Sequence, residues 1–131
     1  MNNIVDILEV GLRDGLQNVK ENLSIEDRLF IIEGLIEAGV SKIQVASFVD
    51  PKRVPQMAFA EDLVKRLNKK NGVEYSGLVF NVRGVERALN CKLNKVETSI
   101  SINERYSNKN LGMSVSESMI NLKAIIKLAR K

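Results

Sequence analysis

A cation, a carboxylate and an amide lie together near the amino terminus, in the segment Arg13-Asp14-Gly15-Leu16-Gln17. The carboxylate of Asp14 offers hard oxygen ligands for a divalent cation, and the guanidinium of Arg13 offers a fixed charge with forked donors for a carbonyl or carboxylate. Together they could polarise one substrate oxygen from two sides. The same residues also fit a solvated loop in which Asp14 caps a turn, so a catalytic interpretation needs support from the rest of the chain.

The composition is that of an ordinary soluble domain, with 44% hydrophobic and 27% charged residues and no Trp or His. No apolar stretch approaches the roughly 20 residues that span a bilayer, so we expect no membrane segment. The net charge of +4 comes from scattered basic residues with few aromatics, which argues against a nucleic-acid surface. The single cysteine, Cys91, cannot form an internal disulfide and favours a reducing compartment, most simply the cytoplasm.

The simplest role for Cys91 is that of a small buried apolar side chain. The N-terminal residues Met1-Asn2-Asn3 run directly into a strand pattern, so we expect no signal or transit peptide in this sequence.

Strand and helix patterns alternate along the chain without a linker. Ser24 with Asp27, and Ser114 with Glu117, stand at the spacing of helix N-terminal caps, and Gly39 stands where the first helix should stop. The patterns predict strands near 4–10, 42–46, 74–80 and 95–101, and helices near 25–38, 60–67, 84–90 and 115–129.

Four consecutive βα units predict an α/β fold with a parallel sheet, either an open doubly wound sheet or a closed barrel. A complete (βα)8 barrel needs about 250 residues, so a chain of 131 would supply half of one. In both architectures the carboxyl ends of the strands carry the chemistry, which is where Arg13 and Asp14 fall. Gly11 and Gly15 do not fit G-x-G-x-x-G, which weakens a dinucleotide-binding alternative.

Two segments of the chain resemble the hydroxymethylglutaryl-CoA lyases, within a metal-dependent barrel group that includes isopropylmalate and homocitrate synthases. The first segment, from Glu9 to Asn18, carries the Arg-Asp-Gly-x-Gln core of the wider group. The second, from Ser47 to Met57, narrows the resemblance to the lyases, and the similarity continues through Asn81 and Asn108-Lys109-Asn110. The resemblance implies that residues 1–131 form one domain, the first four βα units of a pyruvate carboxyltransferase-like TIM barrel.

The resemblance implies a carbon–carbon lyase that cleaves 3-hydroxy-3-methylglutaryl-CoA to acetyl-CoA and acetoacetate with the help of Mg²⁺ or Mn²⁺, as in leucine degradation and ketone body metabolism. By the family pattern, Asp14 is a metal ligand close to the substrate hydroxyl, and Arg13 stabilises the enolate oxygen. Gln17 would orient the metal shell or the substrate. Ser47 and Phe48 would help to shape the acyl pocket, or would only pack the loop.

The sequence departs from the family pattern in two respects. The family generally carries a Glu on strand two where this chain has Gln44, and the loss of that charge could loosen Arg13 or lower activity. The resemblance places Gln44 with Arg13, Ser47 and Phe48 among the substrate-binding residues. The remaining metal ligands of the family are a His-x-His pair and an Asn, with a catalytic Cys between them. The 131 residues of this sequence include no His, and Cys91 does not match the catalytic Cys. A magnesium ion held by Asp14 alone would bind weakly, so we expect little activity from this chain alone.

Two other interpretations stay open: a non-catalytic half-barrel that binds an acyl-CoA or a protein partner, and part of a related condensing synthase. A half-barrel would also leave the outer strand edges unpaired, which predicts self-association or pairing with a C-terminal half-barrel.

Overall fold

A computed structural model describes residues 5–130, and its strands form one parallel sheet in the order β1-β2-β3. The strands are β1 (Lys42–Ser47), β2 (Glu74–Leu78) and β3 (Lys95–Glu97), and the helices are α1 (Ile25–Glu37), α2 (Ala60–Arg66), α3 (Val82–Asn90), α4 (Glu104–Leu111) and α5 (Val115–Ala129). Because helices connect parallel strands, the predicted α/β fold of repeated βα units is confirmed. No helix within 5–130 is both long and apolar enough to cross a membrane.

The first predicted strand is much shorter than expected. Within residues 5–10, only Glu9 pairs with the sheet, as an isolated parallel bridge to Ile43, and residues 5–8 belong to no strand. Ile4, where the predicted strand begins, lies outside the described residues. The side chains of Val5 and Ile7 are 79% and 73% exposed, so the packing that would support a longer strand is missing in this part of the chain.

The helix ends follow the predicted caps. The Ser24 hydroxyl accepts a hydrogen bond from the Asp27 amide at 3.1 Å, and a second capping box opens α5. Gly39 follows α1 with a φ of 90°, a left-handed conformation that favours glycine. By contrast, α4 was not predicted: it is largely polar, and it begins where the Asn103 side chain accepts a hydrogen bond from the Tyr106 amide at 2.9 Å.

A β-bulge in β1 decides which side chains share a face of the sheet. The register runs from Gln44 opposite Ser76 to Ser47 opposite Leu78, with a shift between Gln44 and Ala46. Since side chains alternate along a strand, the bulge brings Gln44 and Ser47 to one face, called the inner face here. Glu97 pairs with Leu78 and lies on this face too.

The opposite, outer face packs against the helices and forms the hydrophobic core. Its strands supply Ile43, Val45 and Tyr75, and the helices supply apolar residues that include Leu63, Val64, Val85 and Ala88. Cys91 is 4% exposed among them, and burial raises the pKa of its thiol. The interpretation of Cys91 as a small buried side chain is therefore confirmed.

Arg87 of α3 ties the helix layer to the carboxyl end of β1. Its guanidinium donates to the carbonyls of Phe48 and Val49 at 3.1 and 2.9 Å and lies 5.7 Å from the centre of the Phe48 ring. The same group pairs with both carboxylate oxygens of Glu61 in α2, through Nε to Oε1 and through Nη2 to Oε2 at 2.9 Å. This bidentate bond holds the pKa of Glu61 below its usual value.

We expect the ion pair between Arg87 and Glu61 to make the free energy of unfolding depend on pH in the acidic range. The pKa of Glu61 is lower in the folded state than in the unfolded state. The ion pair therefore contributes fully to the free energy of unfolding above the unfolded pKa, and this contribution disappears as pH falls through the folded pKa. Between pH 6 and pH 3, Glu61→Gln should therefore lose about 1 kcal/mol less unfolding free energy than the wild type, as measured by urea denaturation. Asp62→Asn, an exposed neighbour on α2, is the matched control; equal acid dependence of all three proteins would contradict the prediction.

Candidate active site

Arg13 and Asp14 lie in a π-helical turn, Gly11–Gly15, which begins two residues after the bridged Glu9. The Glu9 carboxylate accepts a hydrogen bond from the Gly11 amide at 2.6 Å, which ties the start of the turn to the end of the strand. Leu12 is 2% exposed and anchors the turn in the core. Such widened turns occur frequently at functional sites, and this one places Arg13 and Asp14 at the carboxyl edge of the sheet.

The guanidinium of Arg13 is held at two of its nitrogens. Its Nε donates to the side-chain oxygen of Gln44, and its Nη1 donates to the Asp14 carboxylate at 2.6 Å. The Arg13 side chain is 18% exposed, whereas that of Asp14 is 61% exposed. Within residues 5–130, Nη2 of Arg13 makes no hydrogen bond, so one edge of an oriented cation is left for another group.

Gln44 does not leave Arg13 without support, because its amide connects the cation to a carboxylate on another strand. The Gln44 side chain is almost fully buried, and its Nε2 donates to Glu97 Oε2 at 2.6 Å. Glu97 was missed at the sequence level. The available signal was an acidic residue inside a predicted buried strand, but its partner depends on the β1 register, which sequence periodicity does not reveal.

The other predicted site residues are not joined to this chain of hydrogen bonds. Ser47 is fully buried, and its hydroxyl donates to the Leu78 carbonyl at 3.4 Å. The Phe48 ring is buried on the outer face beneath Arg87. Gln17 is half-buried in the 3-10 turn that follows Gly15, and its side chain makes no hydrogen bond inside the described range. Roles for these three residues in substrate binding or catalysis stay predictions.

The side chains of residues 5–130 do not complete a metal centre. No group of three or more His, Cys, Asp and Glu side chains that could hold a metal ion occurs among residues 5–130. The Asp14 carboxylate is exposed and accepts a hydrogen bond from Arg13 at one of its oxygens, whereas the carboxylates of Glu9 and Glu97 accept hydrogen bonds from Gly11 and Gln44. Since Mg²⁺ prefers six oxygen ligands, Asp14 alone would leave most of the coordination shell to water or to other groups.

A cavity of about 490 Å³ opens at the other end of the sheet, where β2 and β3 begin. It is lined by Lys69–Tyr75 and Leu93–Lys95. Because Arg13 lies where the strands end, this cavity is separate from the candidate site and cannot receive a group that Arg13 binds.

A family model described as HMGL-like matches residues 4–131. The chain belongs to the HMGL-like family. One relative, a hydroxymethylglutaryl-CoA lyase from Bacillus subtilis, is 40% identical over 127 residues, which are 97% of this chain and 42% of that protein. The chain therefore spans about two fifths of the length of the curated relatives it matches.

Solved structures of HMGL-like lyases share this fold. The HMG-CoA lyase structure from Bacillus subtilis gives a TM-score of 0.90 at 40% identity and covers 94% of this chain and 41% of that one. An HMG-CoA lyase from Acinetobacter baumannii, in complex with coenzyme A and 3-methylmalate, also gives 0.90, at 26% identity, with 95% and 41% covered. These relatives are TIM barrels, so the described sheet and helices correspond to one part of such a barrel.

Proposed function

We propose that this chain supplies the Arg13 side of a hydroxymethylglutaryl-CoA lyase active site, in which 3-hydroxy-3-methylglutaryl-CoA is cleaved to acetyl-CoA and acetoacetate. The observation that carries the proposal is the oriented Arg13 guanidinium at the carboxyl edge of the sheet, with Nη2 left for a ligand. Family membership and the lyase relatives support the choice of reaction and of an acyl-CoA substrate. The buried, unpaired Cys91 supports the cytoplasm as the proposed location.

The proposed reaction needs a base and an acceptor for negative charge. A base removes the proton of the tertiary hydroxyl, the carbon–carbon bond breaks, and the hydroxyl carbon becomes the ketone of acetoacetate. The electron pair of the broken bond forms the enolate of acetyl-CoA, which then takes up a proton at carbon. Arg13 would stabilise the enolate at its thioester oxygen, because a preorganised cation is most effective where charge develops.

A divalent cation, Mg²⁺ or Mn²⁺, would supply Lewis-acid chemistry close to the substrate hydroxyl, as the metal-dependent family pattern implies. Within this chain Asp14 would contribute one carboxylate ligand, and its exposure leaves it accessible to an ion. The remaining ligands would come from outside the described residues, since those residues contain no complete set.

We also propose that a C-terminal half-barrel, or failing that a second copy of this chain, covers the open side of the sheet. Within the described range, β3 pairs on only one side, and Ile102, shortly beyond it, is 95% exposed. Val5 and Ile7 expose further apolar surface at the short first strand. We expect light scattering on the chain alone to show association, and a monodisperse monomer would argue against this pairing.

A chimera tests the proposed function directly. Residues 1–131 would be fused to the part of the Bacillus subtilis lyase that this chain does not match, and acetoacetate formation would be measured with 3-hydroxy-3-methylglutaryl-CoA and Mn²⁺. A correctly folded chimera should turn over this substrate. A folded chimera that binds the thioester without cleaving it would instead favour a non-catalytic acyl-CoA-binding module.

The chain alone should neither bind a metal tightly nor turn over substrate. A cation on Asp14 would keep most of its water ligands, so isothermal titration with Mn²⁺ should give a dissociation constant of about 1 mM or weaker. Asp14→Asn should abolish even this weak binding at the site, whereas Asp62→Asn, on α2, should not. Tight Mn²⁺ binding together with acetoacetate production by residues 1–131 would contradict the expectation.

A further inference from the structure

The buried amide of Gln44 can take only one orientation between its two partners. Arginine offers donors only, and an ionised carboxylate offers acceptors only. The Gln44 oxygen must therefore face Arg13, and its nitrogen must face Glu97, as the structure has them. The result is a directional chain of hydrogen bonds that runs from a cation at the edge of the sheet to a carboxylate on β3.

We propose that Glu97 is a positioning residue for Arg13, and that it acts through the amide of Gln44. The purpose of this orientation, which is to stabilise the enolate oxygen, rests on the function proposed above. Gln44 is 1% exposed, and the Arg13 side chain is 18% exposed, so water screens the link only weakly. The carboxylate polarises the Gln44 amide, which strengthens the acceptor that its oxygen presents to the Arg13 Nε–H.

The second carboxylate oxygen of Glu97 indicates that this side chain does more than join β1 to β3. Glu97 Oε1 is buried and has no hydrogen-bond partner in the part of the chain that the structure describes. An unsatisfied buried carboxylate oxygen is costly, and a glutamine at 97 could accept the Gln44 hydrogen bond without burying a charge. The negative charge of Glu97 can act on the Arg13 cation through the Gln44 amide. A neutral residue at position 97 could not do so.

A purely structural role of Glu97 and a positioning role predict different results for the same substitution. If Glu97 only joins β3 to β1, then Glu97→Gln should preserve the link, because the new amide still accepts from Gln44. If the charge positions Arg13, the same isosteric change should loosen the guanidinium. Gln44→Glu/Glu97→Gln should then restore it, since this double variant keeps one carboxylate and one amide and moves the charge next to Arg13.

Hydrogen exchange at the Arg13 Nε–H gives a readout that does not depend on catalysis. The ¹⁵N-labelled chain of 131 residues would be used, and the resonance would be assigned by its absence from the spectrum of Arg13→Lys. We expect a protected signal in the wild type, exchange about tenfold faster in Glu97→Gln, and a rate within about twofold of the wild type in the double variant. Glu74→Gln, which removes the carboxylate paired with Lys95 at the start of β2, is the matched control and should not change the rate.

Three results would overturn the proposal, provided that backbone amide spectra show folded proteins: an unprotected Arg13 signal in the wild type, an unchanged rate in Glu97→Gln, or no rescue in the double variant. If Glu97→Gln unfolds the chain of 131 residues, the same exchange comparison is made in the chimera, where faster exchange in Glu97→Gln supports the proposal and an unchanged rate overturns it. An inactive chimera with the expected exchange rates would refute the proposed lyase function and leave the role of Glu97 intact.

Discussion

Replacing Arg13 with methionine in the chimera should lower kcat/KM by about 10²–10³-fold, the usual effect of removing one preorganised donor from a developing oxyanion. The loss should fall mainly on kcat, because the charge that Arg13 is proposed to stabilise exists on the path to the enolate and not in the bound substrate. Steady-state acetoacetate formation over a range of thioester concentrations separates the two constants.

The control for this experiment is Arg66→Met. Arg66 carries the same side chain on α2, where it forms an exposed pair with Glu26 at 2.8 Å, so its removal should leave kcat within about twofold of the unmodified chimera. Arg13→Lys keeps the charge but loses the Nε donor to Gln44, and its kcat should fall between those of the other two. Full activity in Arg13→Met would exclude Arg13 from the reaction.

Adding one methyl group at Gly77 should destabilise the fold by about 2–3 kcal/mol, because the core there has no room for it. A Cβ at this position would lie 2.6 Å from Phe48 Cε2 and 2.9 Å from Leu93 Cδ2, both well inside normal contact. The side chains of Phe48 and Leu93 must then shift, next to the Phe48 carbonyl that accepts a hydrogen bond from Arg87. Urea denaturation of Gly77→Ala against the wild type measures the change.

Gly34→Ala is the matched control for the effect of the methyl group itself. Gly34 lies in α1, and a Cβ there meets no atom within 4 Å. Alanine also favours a helix over glycine, so this variant should be more stable than the wild type by up to about 1 kcal/mol. If both variants changed stability in the same direction and by similar amounts, close packing at Gly77 would not be the cause.

Local signals were sufficient to predict most helices and their ends. The capping pairs that begin with Ser24 and Ser114 act over three residues, so their consequences can be inferred without knowing the fold. The placement of Arg13 at a strand end also followed from local order, since it comes soon after an apolar run that is rich in β-branched residues. That inference holds although, among the described residues 5–10 of the predicted strand, only Glu9 pairs with the sheet.

The parts that could not be predicted depend on contacts between distant residues. Helix α4 has no apolar stripe and is fixed by its Asn103 cap and by burial of Ser107, whose hydroxyl lies 3.1 Å from that of Ser118. The link from Gln44 to Glu97 joins residues 53 positions apart on strands that do not pair with each other. A single-residue error in register would place these two side chains on opposite faces, so the sequence alone could not connect them.

The bulge in β1 lets two neighbouring residues, Val45 and Ala46, both face the core. Gln44 and Ser47 are an odd number of positions apart and yet share the inner face, because the irregularity between Gln44 and Ala46 absorbs one step of the alternation. Deleting the extra residue, Val45, would keep Gln44 opposite Ser76 and Ser47 opposite Leu78, but it would remove a side chain that is buried in the core. A strand with regular alternation along the same part of β2 would therefore supply one apolar side chain fewer to the core.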